Sequence, residues 1–284
     1  MSVSKHIISQ IEKKIGAVIY VQSVGGGCIA QSYTIVSIKG TYFLKTNYPC
    51  AEMYKQEALG LLEIAKSNTI ATPLVIDYTN DYLLIEYIES SPITIQCFKT
   101  AGKQLARMHM ITHSKCGFSS NNFIGKSIQI NTQHENWAHF FYTNRIQAQL
   151  VIAQKNNKAN QELIELVEKS QDPIIEMLEV SPQPHSLLHG DLWSGNILSN
   201  TCGTPYLVDT AVYYGNRESD IAMTTLFGGF PPEFYSAYNQ EYPLNTDYVQ
   251  REKIYQLYHI FNHYNLFGIA YYNRLIHILK HITK

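Results

Sequence analysis

The segment "LLHGDLWSGNILSNTCGTPYLVD", residues 187–209, sets the terms on which the rest of the chain is read. Asp191 and Asn196 stand five residues apart, and Asp209 follows thirteen further on. Between the last two lie "ILSN", a Cys202-Gly203 turn and "PYLVD", which read as two short strands folded back on each other. A hairpin returns the chain on itself, so Asp209 is expected to end beside Asn196. Two carboxylates and an amide oxygen then converge, with Gly190 and Gly195 relieving crowding between them. Hard oxygen ligands of this kind suit a magnesium ion that is held partly by substrate phosphates.

Moving toward the N-terminus, the texture changes. Residues 4–16 read as an amphipathic helix ending at Gly16. Residues 18–46, "VIYVQSVGGGCIAQSYTIVSIKGTYFLKT", alternate apolar and polar side chains and are rich in β-branched and aromatic types. This predicts strands broken at Gly25–Gly27 and at Lys39-Gly40. A helix is expected over 51–67, and residues 74–88, "LVIDYTNDYLLIEYI", read as a hairpin turned at Asn80-Asp81. Beyond residue 89 helical patterns dominate, over 96–113, 136–153, 158–179, 217–239 and 248–283. An irregular stretch is expected at 117–134. The expected fold is α+β and two-lobed: a small β-rich lobe at 1–88, and a larger, mostly helical lobe at 89–284.

Composition bounds the function. The chain has 284 residues, 45% apolar and 16% charged, with 22 basic against 23 acidic side chains. Near neutrality gives no basic footprint for nucleic acid. No run approaches the roughly 20 apolar residues needed to span a bilayer. The N-terminal pattern lacks the apolar core of a signal peptide. Five cysteines, at 28, 50, 97, 116 and 202, form no C-x-x-C unit. A zinc site or disulfide framework is therefore not expected, and a reducing, cytoplasmic setting is.

The chemistry follows from the order of the motifs. D-x-x-x-x-N followed by a strand ending in Asp matches the catalytic loop and metal-binding Asp of protein kinases. In that scheme Asp191 accepts the proton of an attacking hydroxyl, and Asn196 and Asp209 hold Mg²⁺ on the phosphates of ATP. Gly25, Gly26 and Gly27, with Cys28, form a loop whose backbone can approach phosphates closely. Lys45 on a following strand is placed to bridge phosphates, and Glu57 on the next helix to pair with it. The backbone around Glu86 to Ile88 would meet an adenine edge. An exposed lysine or a turn aspartate alone says little; the ordered set carries the reading.

The strings "GGGCI" (25–29), "FLKTN" (43–47), "NWAHFFYTNRIQAQL" (136–150), "YYGNRESDIAMTTLFGGFP" (213–231), "FYSAY" (234–238) and "YQLYHIFNHYNLFG" (255–268) surround "LLHGDLWSGN". Together they resemble the fructosamine-3-kinase (ketosamine-3-kinase) family, over about residues 5 to 280. The wider aminoglycoside phosphotransferase and choline kinase group shares the loop only loosely. The resemblance implies a kinase-like fold and ATP-dependent phosphorylation of the sugar 3-hydroxyl of ketosamines, free or protein-linked. The labile product ties the family to protein deglycation. It also implies Tyr264 as a substrate contact. One departure is visible: Thr210 stands where the family usually has proline after the metal-binding aspartate.

Other expectations rest on single residues. Trp193 either stacks on a sugar or fills a core. Only one or two of Asn262, His263, Tyr264 and Asn265 can face a cleft, because they are consecutive on a helix. His189 is expected to be a structural hydrogen-bonding residue, and Asp220 a brace for the catalytic loop. An exposed Cys28 thiol would be open to oxidation, including a Cys28–Cys28 link between two chains. A small-molecule kinase for an aminoglycoside or choline, and a nucleotide-binding pseudokinase, remain the competing readings.

Overall fold

The computed structural model describes residues 3–25 and 29–284. Helix α1 (Lys5–Ile15) starts where Ser4 Oγ accepts from the Ile7 amide at 3.3 Å and stops at Gly16, which has φ +73°. Five antiparallel strands follow: β1 (Val18–Val24), β2 (Gln31–Ser37), β3 (Gly40–Thr46), β4 (Val75–Tyr78) and β5 (Tyr82–Glu86). They form one sheet in the order β1-β2-β3-β5-β4, with helix α2 (Glu52–Lys66) inserted between β3 and β4.

The two faces of this sheet bury different partners, as the period-two alternation of strands requires. Ile7, Ile11 and Ile15 of α1 pack on Tyr33, Ile35, Leu44, Tyr82 and Leu84. Tyr54, Ala58 and Leu61 of α2 pack on Leu83 and Ile85. Lys45 pairs with Leu83 across β3 and β5, so it shares the α2-facing side. An ammonium is thereby committed to a half-apolar face, where it needs an anion to stay charged.

Past Glu86 the chain is mainly helical, beginning with α3 (Ile95–His109). Two large apolar clusters form its core. Several long helical expectations are interrupted. The 158–179 stretch starts at Gln161, where Asn160 accepts from the Leu163 amide at 2.9 Å, and divides into Gln161–Lys169 and Gln171–Glu179 at Ser170. The 217–239 stretch divides around Gly228-Gly229-Phe230-Pro231 into Glu218–Thr224 and Pro232–Glu241. The 248–283 stretch ends its first helix, Tyr248–Phe267, at Gly268 with φ +83° and resumes at Tyr272. The 136–153 stretch carries a π-helical segment, Tyr142–Gln147. The region expected to be irregular, 117–134, contains a small hairpin, Asn122–Ile124 with Ser127–Gln129.

Candidate active site

Strand His185–Leu188 pairs with Tyr213–Gly215 and delivers the chain into the loop at His189. A single 3₁₀ turn, Ser194–Asn196, leads into strand Ile197–Asn200, which pairs with Pro205–Leu207. The expected hairpin is therefore present. It brings the Val208 amide to the Asn196 carbonyl at 3.1 Å, so Asp209 emerges beside Asn196.

Two glycines make the loop possible. Gly190 has φ +84°, and a Cβ there would lie 2.0 Å from the Ala211 carbonyl oxygen. At Gly195 a Cβ would lie 2.4 Å from the Trp193 indole. Both positions allow close approach that any side chain would block.

The loop is braced from below as expected. Asp220 is buried, and its two oxygens accept from the backbone amides of His189 at 2.7 Å and Gly190 at 2.9 Å. His109 Nε2 lies 3.2 Å from the same carboxylate, and the Tyr238 hydroxyl 2.8 Å from His109 Nδ1. His189 is fully buried; its Nδ1 accepts from the Asp191 amide at 3.2 Å, which leaves Nε2 to donate to the Val208 carbonyl at 2.9 Å. It is a strut between the loop and the strand leading to Asp209.

The functional side chains project above this base. Asn196 donates from Nδ2 to the Asp191 carbonyl at 2.8 Å and approaches the Asp191 carboxylate at 3.4 Å. The amide nitrogen is thereby the atom turned to Asp191. Asp209 holds a left-handed backbone, φ +54°, a conformation unusual for a non-glycine residue and one that clusters at functional sites. Its side chain is half exposed.

Lys45 bonds both Glu57, at 2.6 Å, and Asp209. Burial opposes its charge, but Asp209 and then Glu57 outweigh that and hold its pKa well above the ordinary lysine value. Although the Asp209 side chain is half exposed, the protein packed around it opposes its ionisation, and the Lys45 ammonium reverses this, keeping the carboxyl below its usual range. Burial, with Asp209 as the second cause, pushes Asp191 up to about 7. The two aspartates are thus separated in character: Asp209 stays ionised, and Asp191 titrates near neutrality.

A cavity of about 900 Å³ joins these groups. Lys45, Glu57, Asp191, Asn196 and Asp209 all line it. Gly25, Glu86 and Ile88 also line it, as do Trp193, Asn262 and His263. Gly26, Gly27 and Cys28 lie outside the described residues. Glu86 is anchored through its carboxylate, which accepts from the Leu74 amide at 3.1 Å. Trp193 is 39% exposed and meets Phe227 edge-on, so it is a cavity wall and not a core residue.

Tyr264 is not at the cavity. Its ring is buried, and its hydroxyl donates to the Lys158 carbonyl at 2.5 Å. The helix turns its neighbours Asn262 and His263 toward the cavity instead, about 100° per residue separating the faces. Sequence reasoning also missed Tyr48, whose hydroxyl bonds Glu57, and the hairpin residues Asn122–Gly125 that form one wall. Tyr48 follows β3 in a loop with no periodic signal, so nothing local marked it.

Comparison with known proteins gives the family and the fold. The profile of the fructosamine kinase family covers residues 1–284. A Synechocystis sp. protein named probable ketoamine kinase is 37% identical over 284 residues, covering 96% of this chain and 95% of its own. A chloroplastic protein-ribulosamine 3-kinase of Oryza sativa subsp. indica is 34% identical, covering 94% of this chain and 80% of its own. The crystal structure of a Thermobifida fusca protein assigned as a fructosamine-3-kinase superposes with a TM-score of 0.90 at 28% identity, covering 99% of each chain. With its two-part kinase-like architecture and a family profile matched from end to end, the chain belongs to the fructosamine kinase family.

Proposed function

We propose that the protein transfers the γ-phosphoryl group of ATP to the 3-hydroxyl of a ketosamine, a sugar joined to an amine, with Mg²⁺ as the assisting cation. One observation carries this: Asp191, Asn196, Asp209 and the Lys45–Glu57 pair, scattered over 165 positions (45 to 209), line a single cavity. The names of the relatives supply the acceptor class, ketoamine and ribulosamine.

The donor set fits magnesium, being one carboxylate and one amide oxygen with room for phosphate oxygens. Asp209 and Asn196 would hold it, and it would supply charge neutralisation on the phosphates. Lys45 shares that task from the sheet. Gly25 would approach the phosphates, and the backbone near Glu86 and Ile88 would meet the adenine. Trp193 would offer its face to the sugar.

In the chemical step the acceptor oxygen attacks the γ-phosphorus while its proton passes to the Asp191 carboxylate. The bond to the β-phosphate bridging oxygen breaks, and that oxygen leaves with the electron pair as ADP. The protein mainly positions the reactants and offsets developing charge.

The experiment is ATP consumption against fructosyl-lysine, ribulosyl-lysine, choline and kanamycin. Turnover with one or both sugar-amines and none with the other two is the expected result. Turnover confined to choline or kanamycin overturns the acceptor assignment, and no magnesium-dependent transfer to any of the four overturns the kinase reading.

A further inference from the structure

Behind the cavity, helix Tyr248–Phe267 carries a histidine that none of the preceding roles uses. His259 is 2% exposed, and its Nδ1 is buried with no hydrogen-bond partner. An unpaired buried ring nitrogen is destabilising, so it calls for a reason. Among the described residues, the one carboxylate within 4 Å of it is Asp191, whose Oδ1 lies 3.9 Å from Nδ1. That is too long for a hydrogen bond, and a swing of about 1 Å by the carboxylate would make one. The other carboxylate oxygen, Oδ2, is the one approached by Asn196 Nδ2 at 3.4 Å. The base therefore sits between two nitrogens, one per oxygen, and both separations are longer than a formed bond. Catalytic hydrogen bonds of this kind tighten when substrate is bound.

We propose that His259 is a positioning residue for Asp191: its Nδ1–H takes up Oδ1 from behind and, with Asn196 on Oδ2, turns the remaining lone pairs toward the acceptor hydroxyl.

Burial, reinforced by His263, pushes His259 down to about 3, so the ring is neutral and carries one N–H. A neutral donor orients the base without trapping its proton as a charged partner would. The helix supports the pose: the His259 carbonyl lies 2.8 Å from Nδ1 of His263, tying the ring of a cavity-lining residue to the same turn. This inference rests on the phosphoryl-transfer reading for the role of Asp191, but the placement of the proton on His259 can be read without any acceptor.

Two substitutions separate positioning from packing. In His259→Asn the amide nitrogen occupies nearly the place of Nδ1; in His259→Leu volume is kept and the donor is lost. With Mg-ATP and whichever of fructosyl-lysine or ribulosyl-lysine the parent phosphorylates, His259→Leu is expected to lower kcat by about tenfold or more. Its KM for ATP should stay within about twofold of the parent. Its melting temperature should equal or exceed the parent's, because an unpaired polar atom has been removed. His259→Asn is expected to recover most of the lost kcat. A parent-like kcat in the leucine variant, or equal losses in both variants, overturns the proposal.

Independently, ¹⁵N spectra of histidine-labelled parent protein should show the His259 proton on Nδ1, with its signal moving in Asp191→Ala. A bare Nδ1 with the proton on Nε2 overturns the proposal whatever the acceptor. A parent that phosphorylates neither sugar-amine refutes the functional reading, and the spectra then decide this proposal alone.

Discussion

At the scale of single residues, the site was legible where chemistry forces a residue type and illegible where only packing decides. Asp191, Asn196 and Asp209 were readable because a hairpin of fixed length must bring the last beside the second, and the structure has that hairpin. Tyr264 was misplaced because helical spacing gives the angle between neighbours but not which of them faces inward. Its ring went to the core and its hydroxyl to the Lys158 carbonyl. Asp191→Asn is predicted to cut kcat by about 10²-fold or more while leaving ATP binding within about twofold, because the role proposed for Asp191 is toward the acceptor and not the nucleotide. Steady-state kinetics beside calorimetric titration of ATP check this. Gly190→Ala is predicted to destabilise the fold: its Cβ would meet the Ala211 carbonyl at 2.0 Å, at a φ that alone costs about 1–3 kcal/mol. A parent-like melting temperature in that variant would contradict the role given to Gly190.

At the scale of elements, strands and their faces followed from alternation, and the helix breaks did not. The α2-facing side of β3 could be read from Phe43, Lys45 and their period-two partners. The division of 217–239 depends on a Gly-Gly-Phe-Pro-Pro run that apolar periodicity alone bridges. That division matters, because it sets helix Glu218–Thr224 apart to carry Asp220 beneath the loop. The helix is locked to Tyr248–Phe267 by a buried fork: Arg251 donates to the two Glu218 oxygens at 2.7 and 2.8 Å. Both side chains are at most 2% exposed. Removing Glu218 leaves Arg251 paired with Asp247 alone, at 2.8 and 2.9 Å, so Glu218→Ala is predicted to cost about 1–3 kcal/mol, less than the roughly 3–5 kcal/mol of a buried charge left unpaired, measured by denaturant unfolding. A loss within error of zero would contradict the role given to this fork.

At the scale of the whole molecule, pH and nucleotide should act on stability in opposite ways. Burial pushes His109 and His189 below the ordinary histidine value. Asp220 lies below the ordinary carboxylate value because its bond to His109 and the nearby imidazoles outweigh its burial. In each case the unfolded chain binds more protons than the folded one as pH falls. The stability these three groups contribute is therefore complete above about pH 6.5, declines first through the histidines, and declines again below about pH 4 through Asp220. Asp191, raised to about 7, works the other way and gains stability as pH falls below 7. In Asp191→Asn protein, which lacks that opposing carboxyl, the melting temperature should drop between pH 7.5 and 5.5; a flat or rising profile there contradicts the buried, neutral assignment. Mg-ATP should stabilise the fold by about 2.7 kcal/mol at a hundredfold excess over Kd and so raise the melting temperature, and Lys45→Ala should abolish most of that gain. The most direct test of the central claim joins residue to reaction: ³¹P and ¹³C NMR of the product formed from Mg-ATP and a ribulosyl- or fructosyl-lysine, with parent and Asp191→Asn protein side by side. The account predicts a single phosphate on the sugar C3 oxygen, formed by the parent and at most in trace by the variant. Phosphate at another position, or equal yield from both proteins, would contradict it.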